Sequence, residues 1–388
     1  MLNSLISIVS SPSLEKWDWR SPRKGIGGSE TGHVRMAQEL HKRGYDVTSY
    51  SPLPDDYAKP EAVDPTGLRW LDTNDEFIGA HCIRDYGVVI NYRDPKLFDS
   101  DKPDGAKWWF ISQDVDYGDD WTPERLAKVD RYVCLCSTHA AFIRSKYPEL
   151  HAEGRLFVSS NGIESETIGE TIRDVKRNPK RIMYASSPDR GLLFILENWF
   201  RIIERVPEAE LHVFYGFQNY DVIINYNGPA DWRVESKRRL GELLKQPGVT
   251  WHDRVGQVEL WRNWAESNIF FYPTDFPETS CITSMEAQAC GAIPVTTNYW
   301  ALKQNVLDGY KFDGLPQKSS VVKSLMLEKV VDLLNYSSDW DCMRADFNVN
   351  GQEIDGISRR EEMQVIAQSR FKWSNIADQW SHWLKEDL

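Results

Sequence analysis

The chain lacks any run approaching the roughly eighteen consecutive apolar residues that a membrane helix requires. Its first residues, Met1-Leu2-Asn3-Ser4-Leu5-Ile6-Ser7-Ile8-Val9, carry neither a basic leader region nor a small-residue cleavage site. The expectation is an unexported, cytoplasmic protein with no transmembrane segment. Positive charge is in deficit: 46 Lys+Arg stand against 58 Asp+Glu, a formal net charge of -12. That balance opposes non-specific attraction to nucleic acid or anionic lipid. The six cysteines (Cys82, Cys134, Cys136, Cys281, Cys290, Cys342) show no paired metal-ligand spacing. They read as buried, reduced thiols in a reducing compartment. There is no Gly-x-Ser-x-Gly elbow and no P-loop, which weakens serine-hydrolase and NTPase readings. Short-period repeats and low-complexity tracts are missing as well.

What is present is a folded composition, 41% hydrophobic and 27% charged over 388 residues. That length is a prior for two domains. Leu5–Val9 reads as a buried strand, and a long loop leads from it to a helix over Glu30–Arg43, stopped by Gly44. Further strands are expected at Asp46–Tyr50, Gly87–Asn91, Trp108–Ser112, Tyr132–Leu135 and Leu156–Ser159, with a helix at Thr138–Tyr147. Strands separated by helices imply a parallel sheet covered on both faces.

Residues 164–181 are charge-rich and poor in apolar side chains, and are read as an inter-domain linker. The alternation then restarts, with strands at Arg181–Ala185, Glu210–Tyr215, Val249–His252, Asn268–Tyr272 and Ile293–Thr296. Helices are expected at Leu192–Val206, Asp231–Lys245, Glu259–Glu266 and from Ser280. The tail Phe371–Leu384 places Phe371, Ile376, Trp380 and Trp383/Leu384 on one face, as a helix docking on the body would. The division expected is 1–168, 169–365 and 366–388: an N-terminal acceptor-side domain, a C-terminal donor domain and the docking helix. Ligands of such sheets lie beyond the carboxyl ends of the strands, so two facing sheets predict an inter-domain cleft.

Chemistry concentrates in Asp275-Phe-Pro-Glu278-Thr-Ser-Cys281-Ile282-Thr283-Ser-Met-Glu286-Ala-Gln-Ala-Cys-Gly291. Thr279 or Ser280 can cap a helix that Gly291 ends, with Ile282, Met285 and Ala289 as its buried stripe. Glu286 is the one charged residue from Thr279 to Leu302, so its carboxylate is expected to be partly solvated and to want a specific donor such as a ligand hydroxyl. Glu278 stands just before the helix, whose first N–H groups suit an anion. Either this is a capped core helix with a paired acid, or the two carboxylates clamp a sugar nucleotide. A second constellation, Lys16, Arg20, Arg23 and Lys24 interleaved with Trp17 and Trp19, is either a solvated loop or a surface for a phosphate- or sugar-bearing partner.

Glu-x7-Glu in the setting Phe-Pro-Glu-Thr…Glu-Ala-Gln-Ala-x-Gly-x-x-Pro-Val resembles the donor-site signature of retaining GT-B glycosyltransferases of family 4. The resemblance implies an α/β chain of two Rossmann-like domains. It assigns Glu278 to the transferred sugar and Glu286 to the nucleotide ribose, with Cys281, Ile282 and Thr283 lining the donor. Gly27-Gly28-Ser29 lies where the family has its Gly-Gly loop near the donor phosphates, and Ser29 can cap the helix that follows. Ser187 and Arg190, in Tyr184-Ala-Ser-Ser-Pro-Asp-Arg190-Gly191, fall where the family neutralises the diphosphate. The sequence departs from the family twice. The region upstream of Arg190 has no second arginine, a charge that Arg254 or serine hydroxyls would have to replace. Gln113-Asp114 stands where many members place a histidine, and gives Asp114 as a third catalytic candidate.

The activity implied is transfer of a sugar, UDP-linked by preference, to a hydroxyl of a glycan or glycolipid with retention and without a metal or other cofactor. Trp17, Trp19, Arg20 and Gln113 are the acceptor candidates. Asp114-Val-Asp116 is taken as a chance metal-type pattern. His33, His139 and His252 have no ligand spacing and are expected in packing or surface roles. Alternatives are a DNA glycosyltransferase acting on a hydroxymethylated base, through the basic and tryptophan-rich loop, a non-catalytic nucleotide-sugar binding module, and, more remotely, a nucleotide-sugar epimerase.

Overall fold

The computed structural model describes residues 5–10, 13, 15–57, 64–73, 82–342, 347–349, 352–354 and 356–388, so Met1–Ser4 of the N-terminal reading lie outside the described residues. The chain forms two units. The first comprises Met1–Pro22, Ile26–Gly162 and Lys372–Leu388, the second Arg23–Gly25 and Ile163–Phe371. The breaks thus fall six residues before the expected 168/169 boundary and six after the expected 365/366 boundary.

In the first unit, contiguous apolar runs such as Val88–Tyr92 and Trp108–Ser112 cannot leave one face wet, so they become central strands buried on both sides. The strands are β1 (Leu5–Ser10), β2 (Asp46–Ser51), β3 (Arg69–Asp72), β4 (Val88–Tyr92), β5 (Lys107–Ser112), β6 (Arg131–Cys134) and β7 (Leu156–Val158). They form one parallel sheet in the order β3-β2-β1-β4-β5-β6-β7, with Ile8 of β1 opposite Ser49 on one side and Ile90 on the other. The helix Gly28–Lys42 buries Val34, Met36, Ala37 and Leu40, and the chain leaves it through Gly44 at φ 86°.

The C-terminal helix, Trp373–Asp387, belongs to this unit and packs beside the Gly28–Lys42 helix. Its buried face is Trp373, Ala377, Trp380, Trp383 and Leu384. Two positions of the expected face differ: Ile376 is half-buried, and Phe371 lies in the core of the second unit. The docking is locked by Arg131, whose guanidinium donates to Asp387 at 2.7 Å and to Glu386 at 2.8 Å. The Trp380 indole N–H donates to Ser159 at 2.9 Å.

The second unit repeats the plan with β8 (Asn178–Ala185), β9 (Glu210–Phe214), β10 (Val249–Asp253), β11 (Ser267–Tyr272), β12 (Ile293–Thr297) and β13 (Tyr310–Phe312). All are parallel, in the order β10-β9-β8-β11-β12-β13. The stretch read as a linker is not one. It holds the helix Ser165–Ile172, with Ile168 fully buried, and the start of β8. Its charges lie on the outer face of that helix and at the strand's entry, which is why its composition looks like a connector. In each unit the strand order reverses once, between β1 and β4 and between β8 and β11. Ligands of such sheets bind beyond the carboxyl ends of the strands, at the point where the order reverses.

Candidate active site

β8 and β11 are neighbours, so the loops that follow them meet. The loop after β8 runs from Ser186 to Gly191, and Gly191 adopts φ 108° at the start of the helix Leu192–Ile203. A Cβ there would lie 2.9 Å from the Pro273 carbonyl oxygen, so the close approach of the two loops requires glycine. Across this approach Arg190 Nη1 donates to Glu278 Oε1 at 3.0 Å and Oε2 at 3.1 Å. Its guanidinium lies over the Phe276 ring, 4.0 Å from the centroid. The Glu278 carboxylate is buried and also accepts from the Tyr272 hydroxyl at 2.5 Å. The Glu278 main chain is fixed as well, its carbonyl accepting from the Ala301 N–H at 3.0 Å.

A buried carboxylate needs this many donors, since removing it from water without them costs several kcal/mol. Burial works against the Arg190 charge, but the Glu278 carboxylate, Tyr272 and Asp189 together more than offset it and hold the guanidinium above its usual range. Burial likewise pushes the Tyr272 hydroxyl far above the usual tyrosine range. Arg190 Nε is buried and makes no hydrogen bond among the described residues. Sequence reasoning found Glu278 and Arg190 but missed Tyr272 and Phe276; the Ser186 hydroxyl lies 3.0 Å from the Tyr272 oxygen. Only the pairing of β8 with β11 brings these together.

The helix after this loop is Ile282–Ala289. Its N-cap is Cys281, which makes no side-chain cap, so neither Thr279 nor Ser280 fills the capping role expected of them. The Cys281 N–H is instead received by Asn305 at 2.9 Å, and burial pushes its thiol up. Thr283 donates to the Ala185 carbonyl at 3.1 Å, tying the helix to β8, and Ile282 is half-buried. Met285 and Ala289 fill the core as expected, and Gly291 ends the helix at φ 83°. Glu286 is more enclosed than expected: its carboxylate is buried and Oε1 accepts from the Trp261 indole at 2.8 Å. The donor this acid wanted is therefore supplied in part by the protein. The Ser187 hydroxyl is directed to Asp189.

In the first unit, the Gly27–Ser29 segment does open a helix, but Gly27 is the N-cap and Ser29 sits inside the first turn without capping it. No side chain caps this helix; the Glu30 carboxylate lies over Gly27, its Oε2 2.3 Å from where a Cβ would stand. Arg93 links Glu30 at 3.3 Å to Asp114 at 2.8 Å, from a backbone at φ 71° that a non-glycine residue adopts only at a cost. Burial raises the Glu30 carboxyl above its usual range against the pull of Arg93. Gln113 lies 3.5 Å from the Asn161 amide. Asp116 pairs with Lys146, so the two aspartates of the Asp-x-Asp pattern serve separate cations.

The acceptor assignment of Trp17, Trp19 and Arg20 is corrected. Trp17 and Trp19 are core residues, Trp17 fully buried and packed edge-on to His33 at 5.0 Å. Arg20 is bound to Asp18 and Asp56, and Lys16 to Asp55. Lys16 and Arg20 are thus paired and the two rings are buried, which weakens the support for a DNA-directed reading, while Arg23 and Lys24 are exposed. His33, His139 and His252 have packing roles. His33 is buried between Ser10 at 2.8 Å and Ser49 at 2.7 Å. His139 Nε2 donates to the Val115 carbonyl at 3.1 Å, and His252 stacks on Phe214. Of the substitutes for the absent arginine, serine at position 186 lies in the Glu278 network, whereas Arg254 follows the edge strand β10 and bonds Asn219 at 3.3 Å.

Comparison with solved structures gives the fold its class: two parallel sheets of this kind define the GT-B glycosyltransferase architecture. A glycosyltransferase from Rickettsia africae superposes with a TM-score of 0.68 at 12% identity, covering 99% of this chain and 98% of that one. Sucrose-phosphate synthase from Thermosynechococcus elongatus gives 0.65 at 12%, covering 98% of each. Anabaena HepE, solved in complex with UDP and glucose, gives 0.63 at 10%, covering 98% and 99%. No protein-family profile and no curated protein sequence matches the chain.

Proposed function

We propose that this chain is a retaining glycosyltransferase that moves a sugar from a nucleotide diphosphate sugar, UDP-linked by preference, to a hydroxyl of a glycan or glycolipid. The observation that carries the reading is the Arg190–Glu278 pair at the carboxyl ends of β8 and β11. A half-buried guanidinium with an unused Nε suits the diphosphate, and a carboxylate fixed beside it suits a sugar hydroxyl. The GT-B fold and the UDP and glucose bound by HepE support the choice of donor.

The acceptor oxygen forms a bond to the anomeric carbon on the face from which the nucleotide leaves, while the bond from that carbon to the phosphate oxygen breaks. The acceptor proton passes to the departing phosphate oxygen, and Arg190 stabilises the charge that builds there. Glu286, with Oε1 fixed by Trp261, is the candidate for the ribose, and the Gly27-Gly28 turn for the phosphates. Asp114, paired with Arg93, orients sugar or acceptor beside Gln113. No metal is needed for these roles. The six free cysteines, five of them buried, fit a cytoplasmic protein.

The test is thermal stabilisation by uridine, guanosine, adenosine and thymidine diphosphates and their sugars, with and without EDTA. A ligand at a hundred times its Kd adds about 2.7 kcal/mol, which is a shift of roughly 5–10 °C for a domain of this class. UDP is expected to give that shift, unaffected by EDTA. No shift with any nucleotide at millimolar concentration would remove the donor site; a shift abolished by EDTA would remove the metal-free mechanism.

A further inference from the structure

We infer that Tyr272 is a positioning residue that fixes the Glu278 carboxylate for the transferred sugar, within a relay that begins at Ser186. The inference rests on the glycosyltransferase reading of this site and assigns it a member that no motif contains. Tyr272 is the last residue of β11 and is completely buried. Its one hydroxyl hydrogen is committed to Glu278 Oε1 at 2.5 Å. The contact of 3.0 Å between the Tyr272 and Ser186 hydroxyls must therefore run the other way, with Ser186 donating. The order is Ser186 to Tyr272 to Glu278, and Arg190 donates to the same carboxylate.

The two oxygens of Glu278 are thereby made unequal. Oε1 receives Tyr272 and Arg190, and Oε2 receives Arg190 at the longer distance of 3.1 Å. Oε2 is thus the atom left to accept a sugar hydroxyl, and Tyr272 holds the group in the rotamer that presents it. The arrangement matters most when a diphosphate arrives and draws on Arg190. A carboxylate held by the guanidinium alone would lose its orientation as that partner turned to the phosphate. Tyr272 carries no charge, is not drawn to the phosphate, and stays in the strand, so Glu278 keeps its aim through the reaction.

The experiment compares wild type, Tyr272→Phe, Ser186→Ala, Glu278→Ala and the Tyr272→Phe/Glu278→Ala double variant. UDP affinity is measured by calorimetry and turnover by UDP release from UDP-glucose. Tyr272→Phe keeps the ring, and a melting temperature near wild type confirms the fold. Its UDP affinity is expected within about twofold of wild type, while turnover falls about 10- to 100-fold, the worth of one hydrogen bond to a charged group. Ser186→Ala shows a smaller loss of the same kind. In the Glu278→Ala background, Tyr272→Phe adds nothing, because the group it positions is gone. Turnover of Tyr272→Phe within twofold of wild type overturns the inference. So does a parallel loss of UDP affinity, which a merely structural residue would give, or an undiminished further loss in the Glu278→Ala background. Wild-type protein that binds neither UDP nor UDP-glucose overturns the UDP-sugar reading itself, and this inference with it.

Discussion

Replacing Glu278 with glutamine separates what the Arg190–Glu278 pair does for folding from what it does for catalysis. Two unit charges about 4 Å apart attract by about 4 kcal/mol at an effective dielectric of 20. Arg190 retains 32% of its side-chain exposure, so water screens its charge and takes part of it over when the carboxylate goes. The glutamine amide still offers an acceptor to Arg190 and Tyr272. The net loss of stability is therefore about 1–2 kcal/mol, a fall of roughly 2–8 °C in Tm. The effect on ligands runs in opposite directions. With its anionic partner removed, the guanidinium is free for a diphosphate, so UDP should bind about 2- to 10-fold more tightly. Turnover should fall at least about 100-fold, the usual cost of removing one preorganised group from a reacting centre. Calorimetry with UDP and a UDP-release assay read the two effects. UDP binding that weakens in step with turnover would refute the division of labour between the two residues.

Arg190→Ala leaves Glu278 buried with Tyr272 as its remaining donor; unfolding in urea should show a loss of about 2–4 kcal/mol, and UDP stabilisation should vanish. Trp17→Ala tests the corrected placement of the loop tryptophans: a core loss of about 3–5 kcal/mol is expected with UDP-sugar turnover per folded molecule retained, and the reverse pattern would return Trp17 to the acceptor side. Burial pushes the His33 imidazole down to about 3, so the folded protein resists a proton that the unfolded chain takes up below about pH 6.5. Its stability contribution is complete above that pH and is lost as pH falls toward 3, by about 1.4 kcal/mol per pH unit. Between pH 7.5 and 5.5 the unfolding free energy of His33→Gln should accordingly fall by about 1.4 kcal/mol less than that of wild type; an equal fall would show that the buried imidazole is not the titrating group.

Much of the fold was legible because its strands are continuous apolar runs and its helices have clear stops. β4, β5, β8, β9 and β11 appear where the sequence predicts them, within three residues at either end. β3 and β13 were not legible, since each is short and flanked by charge, and pairing with a neighbour rather than propensity makes them strands. The sequence predicts neither the helix Ser320–Tyr336 nor the helix Arg359–Arg370, both in the second unit. Glu278, Glu286 and Arg190 were found through spacing and resemblance. Tyr272 was not, because a tyrosine ending an apolar strand looks like core until the loop that follows the same strand turns back and lays a carboxylate on it. The loop tryptophans were misplaced for the opposite reason: a basic, aromatic stretch suggests a surface. The correcting signal was nearby in Asp18 and in Asp55-Asp56, the acids that pair with Lys16 and Arg20.

The second unit is, in chain order, almost wholly an insertion into the first. The first unit's sheet is complete by Val158, yet among the described residues the Trp109 indole, the Arg131 guanidinium and the Ser159 hydroxyl take their hydrogen-bond partners from Trp373–Asp387. A nascent chain therefore holds this face uncovered while more than half of the protein is still being made, an interval of about 10–40 s at typical rates of synthesis. Meanwhile the second unit, continuous from Ile163 to Phe371 apart from Arg23–Gly25, can finish first. Assembly thus ends where the polypeptide began, and the uncovered tryptophans of the first sheet are the surface that a chaperone would meet in the interval.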